Sequence, residues 1–449
     1  MASKNTSSTP KTAPKTAKKK TSKDIPGFEF IRSCGGITEY RLKKNGLRVL
    51  IKEDRFAPVA TLMVTYLVGS VDEVTGITGI AHMLEHMMFK ESKGFRRRDK
   101  KDINELLDKK GARLNASTWT DRTNYYETVA VAFLEDAIAL EADRMRHAIL
   151  DAKELASEMV VVRNEFEIGQ NDPLRVLHMD IYATAFQAYP YHHDTIGWLS
   201  DINGYTVEKL QHFYDTYYYP NNAIVSVVGD IDMIKTLTLI KKYFGVHAAS
   251  PHDIPRVTME EPLQEGQRRT SLYRKGTVNM VGVSFKKPGA LHKDIPALIT
   301  LGNILADGNA SLLHRALVDT GLASDISIDA HPFHNESVFV VYVTVAPDVA
   351  HETIEKTVFD IIERIKTEGV SQKEVDRAKN RFAASVAFER TGTASCSSGL
   401  CEAIAGGDWT LFIDIPKAVA KVTPGDIVRV AQTYLTERHS TIGYYHAEA

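Results

Sequence analysis

Residues 82–86 read His82-Met83-Leu84-Glu85-His86, two imidazoles four positions apart with a carboxylate between them. On a helix, positions i and i+4 share a face, so both rings can grip one metal ion. Glu85 lies close to the face of His82, within reach of a water on that metal, where a carboxylate can serve as general base. H-x-x-E-H is the mirror of the H-E-x-x-H order, and a random chain of this composition would hold on the order of 0.05 copies. That rarity favours metal-assisted hydrolysis over a helix turn holding two chance histidines.

Two histidines leave a catalytic zinc one protein ligand short, because such sites use three plus a water. Downstream, residues 156–173 carry Glu158 and Glu165, which are two helical turns apart and so face the same way. The apolar Met159, Val160, Val161 and Val162 between them predict a helix packed into a core. One carboxylate can complete the metal shell while the other hydrogen-bonds a ligating histidine.

With these residues in hand, the chain resembles the inverzincin zinc metallopeptidases typified by pitrilysin, insulin-degrading enzyme and the mitochondrial processing peptidase β subunit. Gly76-Ile77-Thr78-Gly79-Ile80-Ala81 matches that family's entry to the metal helix. Asn115-Ala116-Ser117-Thr118, then Asp121, Thr123 and Tyr125, resemble its active-site strand, and Asn171-Asp172-Pro173 its acidic-Pro turn. The resemblance runs over about residues 35–445. It implies that His82, His86 and Glu165 hold one Zn2+ per chain, that Glu158 supports a ligating histidine, and that Glu85 is the catalytic base. It also implies that Asn115 and Ala116, with Ser117 and Thr118, touch substrate backbone.

Composition fits a soluble enzyme. A formal charge of −2 offers no global field for nucleic acid. Apolar runs such as Ala223 to Val228 are of strand length, so no membrane span is expected. Three cysteines, Cys34, Cys396 and Cys401, are too few for a disulfide framework. Residues 1–26 form a Lys/Thr/Pro-rich tail with little to bury, which reads as disordered and shows no secretory signal. Bacterial periplasm and cytoplasm are left equally open.

The rest divides into two related halves. Thr206 caps a helix running to Tyr217 and followed by a strand, and Thr423 caps one running to Tyr434 and followed by a strand, at an offset of about 217 residues. Each half also opens with a strand leading through a loop to a helix. This predicts an α+β fold of two homologous domains, each a mostly antiparallel sheet packed with helices. A metal-bearing domain is expected over 27–248, a polar linker over 249–265 and a metal-free copy over 266–449. Residues 115–129, rich in β-branched and aromatic side chains, read as a strand bordering the metal cleft, able to pair with an extended peptide. Arg144 and Arg146, on a helix from Ala132 to about Ile149, read as solvated charges. The adjacent His192 and His193 read as a structural loop, not as a second metal pair.

One stretch departs from the resemblance. Active members use an Arg and a Tyr from a later domain to bind the developing oxyanion, and the matching positions here hold Val318 and Ser324. Neither side chain supplies a cation or a phenol. Together with the short chain, this predicts a zinc endopeptidase or oligopeptidase subunit completed by a homologous partner in a heterodimer. A homodimer is the alternative assembly. A non-catalytic structural or assembly subunit is the alternative function, against which the intact His82, Glu85, His86 and Glu165 argue.

Overall fold

The computed structural model describes residues 25–448, so residues 1–24 of the expected tail lie outside it. Two sheets dominate. The first uses β1 (Phe28–Cys34), β2 (Ile37–Leu42), β3 (Arg48–Glu53), β4 (Val59–Tyr66), β6 (Arg113–Thr118), β7 (Thr123–Ala130) and β9 (Ala223–Gly229). Two short strands, β5 (Glu91–Ser92) and β8 (Ala148–Ile149), pair separately. The second sheet uses β10 (Arg268–Lys275), β11 (Asn279–Lys287), β12 (Ala323–Asp329), β13 (Ser337–Val345) and β14 (Ser440–Glu448). The central strand β9 is buried at every position, as expected of a strand covered on both faces.

The first sheet runs β1-β2-β3-β9-β4-β7-β6 and the second β10-β14-β11-β13-β12. Within the first, β3-β9-β4-β7-β6 repeats the order of the second, and among the described residues the one parallel pair in each sheet is the corresponding one, β3–β9 or β10–β14. The duplication read from sequence is therefore present in strand order and strand sense. Each sheet is mostly antiparallel and layered with helices.

The first half contributes α1 (Ile80–Met87), α2 (Ile103–Asp108), α3 (Leu134–His147), α4 (Ala152–Gly169), α5 (Pro173–Ala185), α6 (Leu199–Ile202), α7 (Val207–Tyr217) and α8 (Met233–Phe244). The second contributes α9 (Ile295–Ala306), α10 (His351–Glu368), α11 (Gln372–Glu389), α12 (Thr393–Ala405), α13 (Leu411–Val419) and α14 (Pro424–Tyr434). Helices α7 and α14 start at Thr206 and Thr423, whose hydroxyls accept the N–H of Lys209 and Asp426, as a Thr N-cap should. Residues 249–265 hold no helix or strand. Among the described residues no helix is long and apolar enough to cross a membrane.

The halves exchange covers. Helix α5 lies across the second sheet, with Leu177 and Ile181 against Gly282 of β11 and Gly443 of β14. A Cβ at Gly282 would fall 2.2 Å from Ile181 Cδ1, so that glycine permits the close approach. Reciprocally, Leu400 and Ile404 of α12 pack on Ile37, Leu50 and Ile224 of the first sheet. Cys401 of α12 accepts hydrogen bonds from Thr65 (3.3 Å) and Asn124 (3.1 Å). All three cysteines are free thiols.

Arg144 overturns its reading as a solvated charge. It is fully buried on α3, ion-paired with Glu127 (3.1 Å) and Glu141, and its guanidinium sits 4.5 Å from the centre of the Tyr125 ring. Position on the helix, not residue type, decided this, because Arg144 projects towards β7 and the core. Arg146 is partly buried, pairing with Asp215 at 2.9 Å and lying over the Tyr219 ring. Arg144→Met should lower unfolding stability by about 3–5 kcal/mol, since it strands two carboxylates in the core. Urea unfolding of the two proteins measures it.

Candidate metal centre

Helix α1 presents Ile80, Ala81, Met83, Leu84 and Met87 to the first core, which leaves His82 and His86 on its other face. Its start is tightly fitted. Gly79 has φ +83°, and a Cβ there would lie 2.2 Å from Ile196 O. The wholly buried Glu73 carboxylate accepts the N–H of Gly79 (2.6 Å) and Ala81 (2.9 Å). His193 Nε2 lies 3.1 Å from Glu73 Oε2, whereas His192 Nδ1 lies 3.0 Å from Tyr189 O, so the adjacent histidines have separate structural tasks. Burial raises the Glu73 carboxyl even though the His193 contact and the two N–H bonds pull the other way.

Helix α4 runs past α1 and brings both expected carboxylates to it. Glu165 Oε2 lies 3.7 Å from His82 Nε2 and 3.6 Å from His86 Nε2. Donor atoms of these three residues lie within 4.8 Å of one another. A tetrahedral zinc with bonds of about 2.0–2.1 Å separates its donors by roughly 3.3 Å, so the set fits with small adjustments. Glu158 Oε2 lies 3.0 Å from His86 Nδ1, which turns the Nε2 lone pair of that ring towards Glu165. Lys90 Nζ donates to the other Glu158 oxygen at 2.5 Å. Burial tends to raise Glu158, but the bonds from Lys90 and His86 outweigh it and hold the carboxyl below its usual range. Burial, helped by neighbouring His86, pushes His82 down to about 3, so its imidazole stays neutral and available as a ligand.

Of the apolar run on α4, only Val162 is fully buried; Val160 and Val161 are exposed. The run is not wholly packed into a core, because α4 touches α1 along one face only.

Residues 115–129 form not one strand but a hairpin, β6 and β7, joined through the turn Trp119–Arg122. Trp119 N donates to Arg122 O, and ladder bonding alternates, so Thr118, Ala116 and Leu114 turn their backbone groups to the outer edge. Strand β6 is the last strand of its sheet, so among the described residues that edge has no strand partner. Ala116 and Thr118 are buried towards α1, Ser117 is half-buried and Asn115 exposed. Thr118 Oγ1 donates to Glu85 Oε2 at 2.5 Å, which ties the helix carboxylate to the strand. Burial raises the Glu85 carboxyl against the pull of this bond. His82, Glu165 and Thr118–Thr120 line a cleft of about 690 Å³, with Ser327–Asp329 of β12 on its far side.

The description "Insulinase (Peptidase family M16)" matches residues 48–197, and "Peptidase M16 inactive domain" matches residues 204–382. A Helicobacter pylori protein named zinc protease PqqE is 31% identical over 403 residues, which cover 89% of this chain and 90% of that one. A probable mitochondrial-processing peptidase subunit beta of Arabidopsis thaliana is 24% identical over 415 residues, 89% of this chain and 76% of that one. The crystal structure of a protease from Helicobacter pylori superposes with a TM-score of 0.86 at 30% identity, covering 94% of this chain and 100% of that one. The chain belongs to peptidase family M16.

The structure brings together every residue singled out from sequence at the metal and adds Glu73, His193 and Lys90. Lys90 was findable, being one helical turn past His86. Glu73 and His193 meet across 120 positions, with no local signal.

His82→Ala or Glu165→Ala should abolish stoichiometric zinc on metal analysis, and Glu158→Ala should weaken retention about 10- to 100-fold in chelator competition. A further outcome concerns pH. In the unfolded chain His82 takes a proton near 6.5, whereas in the fold it does so only near 3. The unfolded state therefore binds more protons in between, and metal-free protein should lose stability as pH falls from 6.5 towards 3. His82→Phe should lose less over that range, as melting temperatures in metal-free buffer will register.

Proposed function

We propose that the chain is a zinc-dependent endopeptidase or oligopeptidase subunit acting on extended peptides. The convergence of His82, His86 and Glu165 beside Glu85, itself bonded to an unpaired strand edge, carries this reading. His82 and His86 through Nε2, with the Glu165 carboxylate, would hold the zinc, which when bound polarises a peptide carbonyl and acidifies water. Glu85 takes the proton of the attacking water and hands it to the leaving amine. Burial makes Glu85 a stronger base than an exposed carboxylate, while Thr118 fixes one of its oxygens and leaves the other for the proton. Glu158 and Lys90 hold the His86 ring in place.

The substrate adds to β6 as a further strand, pairing with the outward groups of Ala116 and Thr118. Asn115 Oδ1 accepts the Ala116 N–H at 2.8 Å and must yield that donor to a peptide carbonyl. Recognition then rests on main chain, with an extended conformation required and side-chain selectivity broad. The metal residues lie in a first domain over 27–248, joined through 249–265 to a homologous second domain over 266–449.

The two positions that the resemblance assigns to the oxyanion donors hold neither an Arg nor a Tyr. Val318 packs against the second core and Ser324 Oγ lies 3.5 Å from Thr344 O, so neither offers a cation or phenol to the cleft. A homologous partner subunit supplying Arg and Tyr completes the site in a heterodimer; a homodimer is the alternative.

Glu85→Gln should keep zinc and peptide binding yet lose nearly all hydrolysis, because an amide cannot accept the water's proton. Metal analysis beside a quenched-peptide assay separates these effects, and near-normal turnover would remove Glu85 from the mechanism. Each absent oxyanion donor is worth about 10²–10³ in rate, so the isolated chain should be nearly inactive and a co-purifying homologous partner should activate it. Full turnover by the homogeneous chain alone would reject the partner.

A further inference from the structure

The turn closing the β6–β7 hairpin is fastened to the loop after β12 at two neighbouring points. Arg122 donates Nη1 to Ser117 O (3.0 Å) and Ser117 Oγ (2.7 Å), and Nη2 to Glu402 of α12. The second oxygen of Glu402 lies 3.5 Å from Nε2 of His331, just past the end of β12. Beside Arg122, Asp121 accepts the His334 N–H at 3.1 Å and the Tyr191 hydroxyl at 2.8 Å.

These bonds stand where both sheets end. β6 and β12 are the edge strands of their sheets, and the 690 Å³ cleft holding His82 and Glu165 is lined by the end of each. A second cavity, of about 940 Å³, shares Ser327 and Ile328 with that cleft and has Glu402 and His331 in its wall. One carboxylate therefore touches a group attached to each edge strand. Burial would raise Glu402, but His331 and the Arg122 guanidinium outweigh it and bring the carboxyl to about 2, so it is ionised at any working pH.

We propose that Glu402 is a positioning residue which, by gripping Arg122 and His331, sets the gap between β6 and β12 and so the hold on peptides long enough to reach both strands. The idea rests on the peptidase reading and deepens it. Reactive geometry is sensitive to displacements of an ångström, and an edge strand held from one side only can shift by that much. A short peptide paired with β6 alone depends little on the gap. A longer one that also meets β12 or the second cavity depends on it directly. A tie that served only stability would not discriminate by length.

The test uses the full zinc-loaded chain, with its partner where one co-purifies, in the non-cleaving Glu85→Gln background. Fluorescence anisotropy follows two labelled unstructured peptides, one no longer than β6 and one several times that length. Glu402→Gln should weaken the long peptide about tenfold and the short one less than about twofold, at unchanged zinc content. Adding Arg122→Met to Glu402→Gln should cost clearly less than the sum of the two single changes, since both break the Arg122–Glu402 contact. Equal weakening of both peptides, or additive losses, would overturn the proposal. If Glu402→Gln does not fold, His331→Gln must show the same length dependence or the proposal fails. A parent protein that binds neither peptide removes the peptidase reading and this inference with it. A parent that binds both, with Glu402→Gln indistinguishable from it, removes this inference alone.

Discussion

Helix α1 has only eight residues, too few to be stable by itself, yet it must hold two imidazoles and a carboxylate in fixed directions. Its first N–H groups would be orphaned in the interior without the buried Glu73 carboxylate on Gly79 and Ala81. A negative charge at a helix N-terminus is also favoured by the helix dipole. The charge is costly to bury, and the contact with His193 offsets part of that cost. Because His193 belongs to the segment carrying Ile196 and Gly197, the loop that covers the start of α1 is fixed by the same carboxylate. The directions of His82, Glu85 and His86 follow from this clamp, and α4 then has one face of α1 to meet.

The cleft beside α1 arises from the exchange of α5 and α12. A sheet with one open apolar face must cover it, and here each half covers the other's. Helix α5 follows α4 directly through Asp172 and Pro173, an N-cap and first-turn pair. Glu165 thus sits just before the chain crosses to the second sheet. His82 of α1 and Glu165 of α4 accordingly line a cleft that residues of β12 also line.

The convergence of His82, His86, Glu158 and Glu165 was legible because its geometry is local. His82 and His86 lie one turn apart, and Glu158 and Glu165 two turns apart on a second helix, so helical spacing alone places each pair. The duplication was legible because Thr206 and Thr423 cap equivalent helices before equivalent strands. What sequence concealed depends on distant partners. Arg122 and Glu402 meet across 280 positions, and nothing near either announces the other. Arg144 looked like a surface charge because residue type speaks for exposure, while it is buried against Glu127 of strand β7. The exposure of Val160 and Val161 had the same cause in reverse, an apolar run whose helix touches the core on one side only.

An unpaired strand edge invites association with any other chain, and folds usually blunt it. Here the Thr118 end of β6 lines a cleft, and Asn115 bonds the outward Ala116 N–H through its own side chain. On the other side of the cleft, β12 carries an irregularity between Ala323 and Asp325 and two exposed polar residues, Ser324 and Asp325, which disfavour a continuous ladder there. The two edges are therefore unequal. β6 remains straight, with a donor held by a bond that an incoming carbonyl can replace one for one. Such an exchange would cost little net hydrogen-bond energy, so on the proposed reading discrimination between peptides would come from conformation and reach rather than from the ladder itself. On the proposed reading a helical segment is excluded, because its backbone groups are already bonded within the helix and cannot offer the alternating donors and acceptors that pairing with β6 would require.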